Sequence, residues 1–333
     1  MLRPLFLKAG ILNMRLNGRI SVCREIKQWI SKQNEGGDVP CKLRCWTLAP
    51  PSVNQKSSQN LFSPTQMTFD NKKLTLKQTS RFNHENIIPF IGYCDEGNEK
   101  IIVYEFASNG SLDSHLKDKE KRRFLTWEHR LKICLGAARG LDYLHSGLGE
   151  DNRVIHRDVK SANILLDHNL VAKICDFGLS KSSLVNQPQT QVYTNAAGTD
   201  FYMDPIYHEG GILRKESDVY SFGVVMFELL SGMLAYNRRR IADGKPKPLI
   251  NIVRRYYHYK PELLIDPLIR DDIDTRSFDT YSKVAFQCIS LNSKERPTME
   301  MIVDRIEEAL EFHAGHSCTN SVTVPIQYIV KNP

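Results

Sequence analysis

The run from His156 to Leu166, HRDVKSANILL, followed ten residues later by Asp176-Phe177-Gly178, constrains this chain more than any other feature. Asn163 stands five residues after Asp158, and Asp176 stands eighteen after it. A lone Asp or Asn in a loop usually caps a turn, and a lone Lys usually sits in water. Eleven residues in register, with a second motif at a fixed distance, instead require a fold that brings Asp158, Lys160, Asn163 and Asp176 to one site.

That set suits the movement of a γ-phosphoryl group. The reaction needs an in-line hydroxyl, neutralisation of charge and metal ions that bridge the phosphates, with little covalent help from the protein. Asp158 would accept or orient the proton of the attacking hydroxyl, and Lys160 would stabilise charge on the transferred group. Asn163 and Asp176 would hold magnesium through hard oxygen ligands. Leu165 would form the floor under the adenine of ATP.

Composition is ordinary for a folded chain: 333 residues, 41% hydrophobic and 25% charged. The net charge of +7 belongs wholly to residues 1–60, with ten Lys or Arg against three Asp or Glu; the rest balances. The basicity therefore lies away from the chemistry and gives no argument for nucleic-acid binding. The longest apolar stretch, Val219–Leu230, is interrupted by Tyr220, Ser221 and Glu228 and falls short of a membrane span. Eight scattered cysteines, several inside apolar runs, fit a reduced intracellular setting. Cys41 and Cys45 lack the second pair that a zinc site needs.

The first 24 residues hold five basic and no acidic residues, in the manner of a transit peptide, but form no single apolar stripe. Residues 50–66, rich in Pro, Ser, Asn and Gln, read as a linker. Residues 73–82 read as the end of a helix, and 87–94 and 100–106 as two strands of a hairpin around Asp95-Glu96-Gly97-Asn98. Ser108 to Leu116 opens a short helix, and Leu131, Leu135, Ala138 and Leu141 mark one buried face of the next. A helix from Asp218 to Leu230 is apolar nearly all round, and further helices are expected at 280–291 and 298–312.

The segments VYEFASNGSLDSHL, GAARGLDYLH, AGTDFYMDP, KESDVYSFGVV and KERPTM join the two motifs in a fixed order. With them the chain resembles eukaryotic protein kinases of the plant receptor-like type over roughly residues 74–312. The resemblance implies an α+β, bilobal protein kinase-like fold with an incomplete β-rich N-lobe and an intact, mainly helical C-lobe. It implies a basic leader and linker at 1–66, poorly ordered; a kinase domain at 67–312, divided at 106/107; and an irregular tail at 313–333. The activity implied is ATP-dependent, Mg-supported phosphorylation of protein Ser or Thr in signalling, the Lys160 context pointing to Ser/Thr rather than Tyr.

The family pattern implies further roles. Tyr104 would guard the back of the nucleotide pocket, and the backbone of Glu105 and Ala107 would pair with adenine. Thr199 would bond near Asp158 and Lys160 and bias the acceptor towards Ser or Thr, while Asp218 would buttress the catalytic loop. Arg157 offers a fixed guanidinium for a phosphate, with Thr194 the leading candidate for its attachment. The implied partners are ATP and a protein substrate or partner kinase, with no nucleic acid and no transmembrane segment. Placement would be cytoplasmic, with association at the plasma membrane through partners.

The family pattern also breaks in places. No GxGxxG can be written through Gly10, Gly18, Gly36 and Gly37, no VAxK precedes the first helix, and Thr75 stands near where its partner glutamate belongs. Lys72, Lys73 and Lys77 suit solvated positions. The expectation is a truncated or degenerate small lobe with a bare sheet edge, and a pseudokinase or scaffold is the alternative to an active enzyme. Ile206 replaces the glutamate expected to pair with Arg296, which should leave that arginine unpaired.

Overall fold

The computed structural model describes residues 43–47, 81–96, 99–146, 152–184, 192–236 and 248–320. Three antiparallel strands open it: β1 (Leu43–Thr47), β2 (Phe90–Glu96) and β3 (Glu99–Glu105), in the order β1-β3-β2. The last two form the expected hairpin, with Tyr93 opposite Ile102 and a bulge between Phe90 and Gly92.

β1 corrects the expectation that this edge of β3 is bare. Leu43 pairs with Glu105, Arg44 with Tyr104 and Thr47 with Ile101, so a segment assigned to the leader supplies the third strand. Five residues are too few to show a clean alternation, and an open row of backbone groups on β3 favours pairing. Thr75 and the lysines at 72, 73 and 77 lie outside the described residues, as does most of the helix end expected at 73–82.

Three helices follow: α1 (Leu112–Lys117), α2 (Lys119–Arg123) and α3 (Trp127–Ser146). α3 buries Leu131, Leu135, Ala138 and Leu141 as its spacing predicts, together with Trp127, Cys134 and Leu144. A Cβ on Gly140 would stand 2.7 Å from the Asn86 carbonyl oxygen, so this glycine lets the loop before β2 lie directly on the helix. Asn86 Nδ2 donates to the Ala172 carbonyl at 3.0 Å, and Ile88 N to that of Ile174 at 2.9 Å, which ties the upper strands to the site below.

Two antiparallel ribbons position the chemistry. β4 (Asn152–Ile155) pairs with β7 (Lys181–Leu184), and β5 (Ile164–Leu166) with β6 (Ala172–Ile174). The loops 156–163 and 175–180 therefore run side by side at the ribbon ends. Beyond them come β8 (Val192–Tyr193), α4 (Pro205–Gly210), β9 (Ile212–Leu213) and α5 (Lys215–Ser231), then α6 (Leu249–Tyr256), α7 (Thr275–Cys288) and α8 (Met299–Asn320).

α5 is the axis of the helical half, buried continuously from Ser217 to Ser231. A Cβ on Gly223 would meet Cys288 Cβ at 2.6 Å, so the glycine permits α7 to approach to backbone distance. Each fully buried Leu, Val or Phe contributes about 1.5–3 kcal/mol by leaving water, and Phe222, Val224, Val225, Phe227, Leu229 and Leu230 are all fully enclosed.

α7 begins five residues before the expected start because Asp274 caps it, accepting from Arg276 N and Ser277 N at 3.0 Å each. α8 runs to Asn320, past its expected end at 312 and through 313–320 of the expected irregular tail; 321–333 lie outside the described residues. Gly315 costs the helix only about 1 kcal/mol. Among the described residues no helix is long and apolar enough to cross a membrane. Cys134, Cys175 and Cys288 are buried, and burial pushes the Cys134 thiol up to about 12.

Candidate active site

The catalytic loop is hung from α5 through one carboxylate. Asp218 Oδ2 accepts from His156 N at 2.7 Å and from His145 Nε2 at 2.9 Å, and Oδ1 accepts from Arg157 N at 2.7 Å. Two consecutive backbone N–H groups can aim at one carboxylate only if the chain turns sharply, and Arg157 adopts φ 74° to do so. Such a conformation is costly for a side-chain-bearing residue and persists where the surroundings fix it. The expected buttressing by Asp218 is thus seen as direct backbone capture.

His156 continues the lock. Its Nε2 donates to the Cys175 carbonyl at 3.0 Å, while Nδ1 accepts from Asp158 N at 3.3 Å. Cys175 N donates to the Asn163 carbonyl at 3.0 Å. Both motifs of the sequence are therefore stitched together by backbone and imidazole bonds. Phe177 fills the space behind, with its ring 5.2 Å from His156 and 5.0 Å from Phe82.

Three polar groups bond to Asp158, and two of them, Lys160 and Thr199, close a ring with it. Its Oδ2 accepts from Lys160 Nζ at 2.6 Å and Asn163 Nδ2 at 3.1 Å, and its Oδ1 from Thr199 Oγ1 at 2.8 Å. Lys160 also donates to Thr199 Oγ1 at 2.9 Å. A carboxylate offers about four lone-pair directions. Three are taken, which leaves one for an incoming hydroxyl.

The Asn163 amide nitrogen is spent on Asp158, its second bond running to the Asp158 carbonyl at 2.8 Å. The amide oxygen is thereby the end presented to a ligand. Asp176, held in the left-handed region at φ 65°, is exposed and among the described residues accepts one long bond, from Gly178 N at 3.4 Å. An amide oxygen and a lightly engaged carboxylate form the hard donor set that suits magnesium. Two of the ligands expected from sequence thus lie on adjoining backbone.

On the hinge side Tyr104 is buried edge-on to Phe90, with ring centroids 6.0 Å apart. Burial, then the nearby Asp176 charge, pushes its phenol upward. Glu105 N donates to the Pro89 carbonyl at 3.0 Å, and Ala107 is buried beside the hinge. Leu165 is buried and bridges Ser111.

Arg157 reaches the segment 180–199 as expected. Its Nη2 lies 3.3 Å from Thr194 Oγ1 and donates to the Asn195 carbonyl, while Nε donates to Tyr207 Oη at 2.6 Å. Tyr207 was not foreseen.

Arg296 corrects the expectation of an unpaired guanidinium. It is buried and grips Asp204 bidentately, Nη1 to Oδ2 and Nη2 to Oδ1 at 2.8 Å each, with a further bond to the Glu216 carbonyl at 2.8 Å. Asp204 precedes Ile206 by two residues and also caps α4, accepting from Ile206 N at 3.1 Å. Its carboxylate does what the missing glutamate would have done.

Glu228 is the other residue that motif reading passed over. It is fully buried, and its Oε1 accepts from Tyr202 Oη at 2.6 Å and Ala235 N at 2.7 Å. Tyr202 Oη lies 3.2 Å from Ser161 of the catalytic loop. Burial raises this carboxyl to about 7. An acid inside the apolar run from Val219 to Leu230 was the available signal.

Residues 64–306 match the family model for protein tyrosine and serine/threonine kinases. The chain belongs to the protein kinase family. It is 41% identical over 240 residues to the receptor-like protein kinase HERK 1 of Arabidopsis thaliana, covering 71% of this chain and 28% of that protein. It is 40% identical over 245 residues to an Arabidopsis protein named "Probable LRR receptor-like serine/threonine-protein kinase", covering 71% of this chain and 25% of the relative. The chain thus spans about a quarter of the length of these relatives. They place the chain with the plant receptor-like group of that family.

Proposed function

We propose that this chain is an ATP-dependent protein Ser/Thr kinase. The observation that carries the reading is the closed ring of Asp158, Lys160 and Thr199, with Asn163 bonded to Asp158 and stitched through Cys175 to the loop of Asp176. Asp158 orients the acceptor hydroxyl on its remaining lone pair and takes its proton as the new bond forms. Lys160, fixed between Asp158 and Thr199, holds positive charge where the transferred group gains negative charge. Thr199 closes the ring beside the acceptor and favours the short reach of Ser or Thr.

Asn163 and Asp176 would hold magnesium, which when bound neutralises the phosphates. Tyr104, Leu165 and the hinge backbone at Glu105 and Ala107 would receive the adenine. The receptor-like relatives support cytoplasmic action at the plasma membrane through partners.

Purified chain given Mg-ATP and a protein acceptor tests this. Phosphate should appear on Ser or Thr and fall about 10²–10⁴-fold in Asp158→Asn, the range for a positioned base, with the unfolding transition retained. A folded chain that gives no incorporation supports the rival reading, a pseudokinase that docks other proteins. That rival rests on the absence of a GxGxxG run, a VAxK lysine and its partner glutamate from the sequence.

Regulation by phosphorylation of Thr194 is part of the same reading. Its hydroxyl already sits at Arg157, and a phosphate there would bring about −1.5 to −2 charge onto a buried guanidinium. Thr194→Ala should lower turnover of the phosphorylated form several-fold; unchanged turnover refutes the assignment.

A further inference from the structure

A nucleoside triphosphate carries more negative charge than one magnesium ion cancels, so a site that receives it needs a protein cation beside the phosphates. Three cations of the helical half are committed elsewhere. Lys160 is fixed between Asp158 and Thr199, at the transferred group, and Arg157 is held by Tyr207 and the Asn195 carbonyl. Lys173 donates to the Glu85 carbonyl at 2.8 Å. The strands above the site hold two more, Arg44 on β1 and Lys100 on β3.

Register separates these two. Lys100 stands opposite Asp95, near the turn of the hairpin and far from the hinge. Arg44 stands opposite Tyr104, one residue before β3 ends at Glu105. That end is tied to the metal loop through backbone. Glu105 N donates to the Pro89 carbonyl at 3.0 Å, and Ile88 N donates at 2.9 Å to the carbonyl of Ile174, two residues before Asp176.

The face is set as well as the level. Residues directly opposite in an antiparallel pair share a face, and neighbours along one strand alternate. Tyr104 belongs to the core that holds Leu165, Cys175 and Phe177, and Phe90, opposite it on β2, packs against the same core. Val103, one residue earlier, is buried outside that core. β1 therefore places Arg44 on the face of the sheet shared with Tyr104, above the metal loop, and Cys45, opposite Val103, on the other.

We propose that Arg44 binds the α- and β-phosphates of the nucleotide, so that β1 supplies the cation that the sequence lacks at a VAxK position. A guanidinium suits phosphate oxygens through its fork of donors. Arg44 lies outside residues 64–306, the span that matches the kinase family model, so the family pattern assigns it no role. The inference deepens the kinase reading and rests on its nucleotide site, but binding and transfer can be tested apart.

Calorimetry of the full chain with ATP, ADP and adenosine, each in the presence of magnesium, supplies the test. The parent should bind ATP and ADP at least about tenfold more tightly than adenosine. Arg44→Met keeps a long stem without the charge. It should weaken ATP and ADP about ten- to a hundredfold, the scale of a charge-assisted contact, and leave adenosine nearly unchanged. Arg44→Lys, which keeps the charge without the fork, should fall between the parent and Arg44→Met. Exchange of the two neighbours, Arg44→Cys with Cys45→Arg, moves the guanidinium to the opposite face and should bind ATP as weakly as Arg44→Met.

Equal affinity of the parent for ADP and adenosine overturns the assignment. So does an Arg44→Met chain that binds ATP as the parent does, or one that loses ATP and adenosine in equal measure, which marks Arg44 as a strand residue only. ATP binding that depends on Arg44, without phosphate transfer to any acceptor, supports the assignment and sinks the kinase reading alone. Thermal melts of each variant accompany the titrations, and the ratio of ATP to adenosine affinity within one variant is insensitive to a uniform loss of folded protein.

Discussion

Asp218 and Glu228 stand ten residues apart on the same buried helix, and both carboxylates are sealed from water. Their circumstances differ. Asp218 receives three N–H donors spread over both oxygens. Among the described residues Glu228 receives its donors on Oε1, while Oε2 has no hydrogen-bond partner. A buried charge that is fully engaged organises what surrounds it; one that is half engaged is pushed towards its protonated form. The loop end of α5 is thus electrostatically settled, whereas the end beneath Tyr202 is responsive to pH.

The largest effect should come from emptying the settled end. Asp218→Ala would strand two backbone N–H groups and His145, and should cost about 3–5 kcal/mol, read as a shift in denaturant midpoint. A loss below about 1 kcal/mol would break the contrast with Glu228.

Asp204 offers a third buried carboxylate that shares the character of Asp218, since Arg296, Ser217 and Ile206 N all donate to it. Arg296→Met keeps much of the volume but leaves Asp204 without its cation. Destabilisation of about 2–4 kcal/mol is expected, together with easier proteolysis of the segment before α4.

Glu228→Gln should act in the opposite direction. Below about pH 4.5 the carboxyl carries its proton in both folded and unfolded chains. Between pH 4.5 and about 7 only the unfolded chain gives the proton up, so stability falls as pH rises and levels off above about 7. Glutamine cannot ionise, and at pH 8 it should gain on the order of 1–3 kcal/mol over the parent. Its stability should also lose the parent's slope across that window. Equal pH profiles for the two proteins would remove Glu228 from the account.

The smallest change sharpens the same point. Tyr202→Phe removes the donor from Glu228 and should cost about 1 kcal/mol at pH 8. It should also move the upper end of the sloping region above pH 7, visible in melts taken at half-unit intervals.

Legibility in the sequence followed the range of the contacts. The ring around Asp158 could be read because Asp158, Lys160 and Asn163 share one loop held between β4 and β5. The hairpin and the buried face of α3 could be read because period and turn residues are local signals. Asp204 and Arg296 are 92 residues apart, and reading by motif position directed attention to Ile206 instead. β1 escaped notice for a related reason. Its pairing with β3 depends on a strand more than fifty residues away, and Leu43–Thr47 has no periodicity of its own to declare. Tyr207 gives no local signal for its contact with Arg157, which lies 50 residues away in sequence.

Suspension of the catalytic loop from α5 has a consequence for how such a chain can change over time. The loop takes its shape from the most densely enclosed element of the helical half, and none of the bonds that fix its backbone on Asp218 comes from the upper strands. Insertions, losses or replacements above β2 can therefore accumulate without bending the machinery below. Such changes would alter how a nucleotide is gripped, while the tool that awaits it keeps its form.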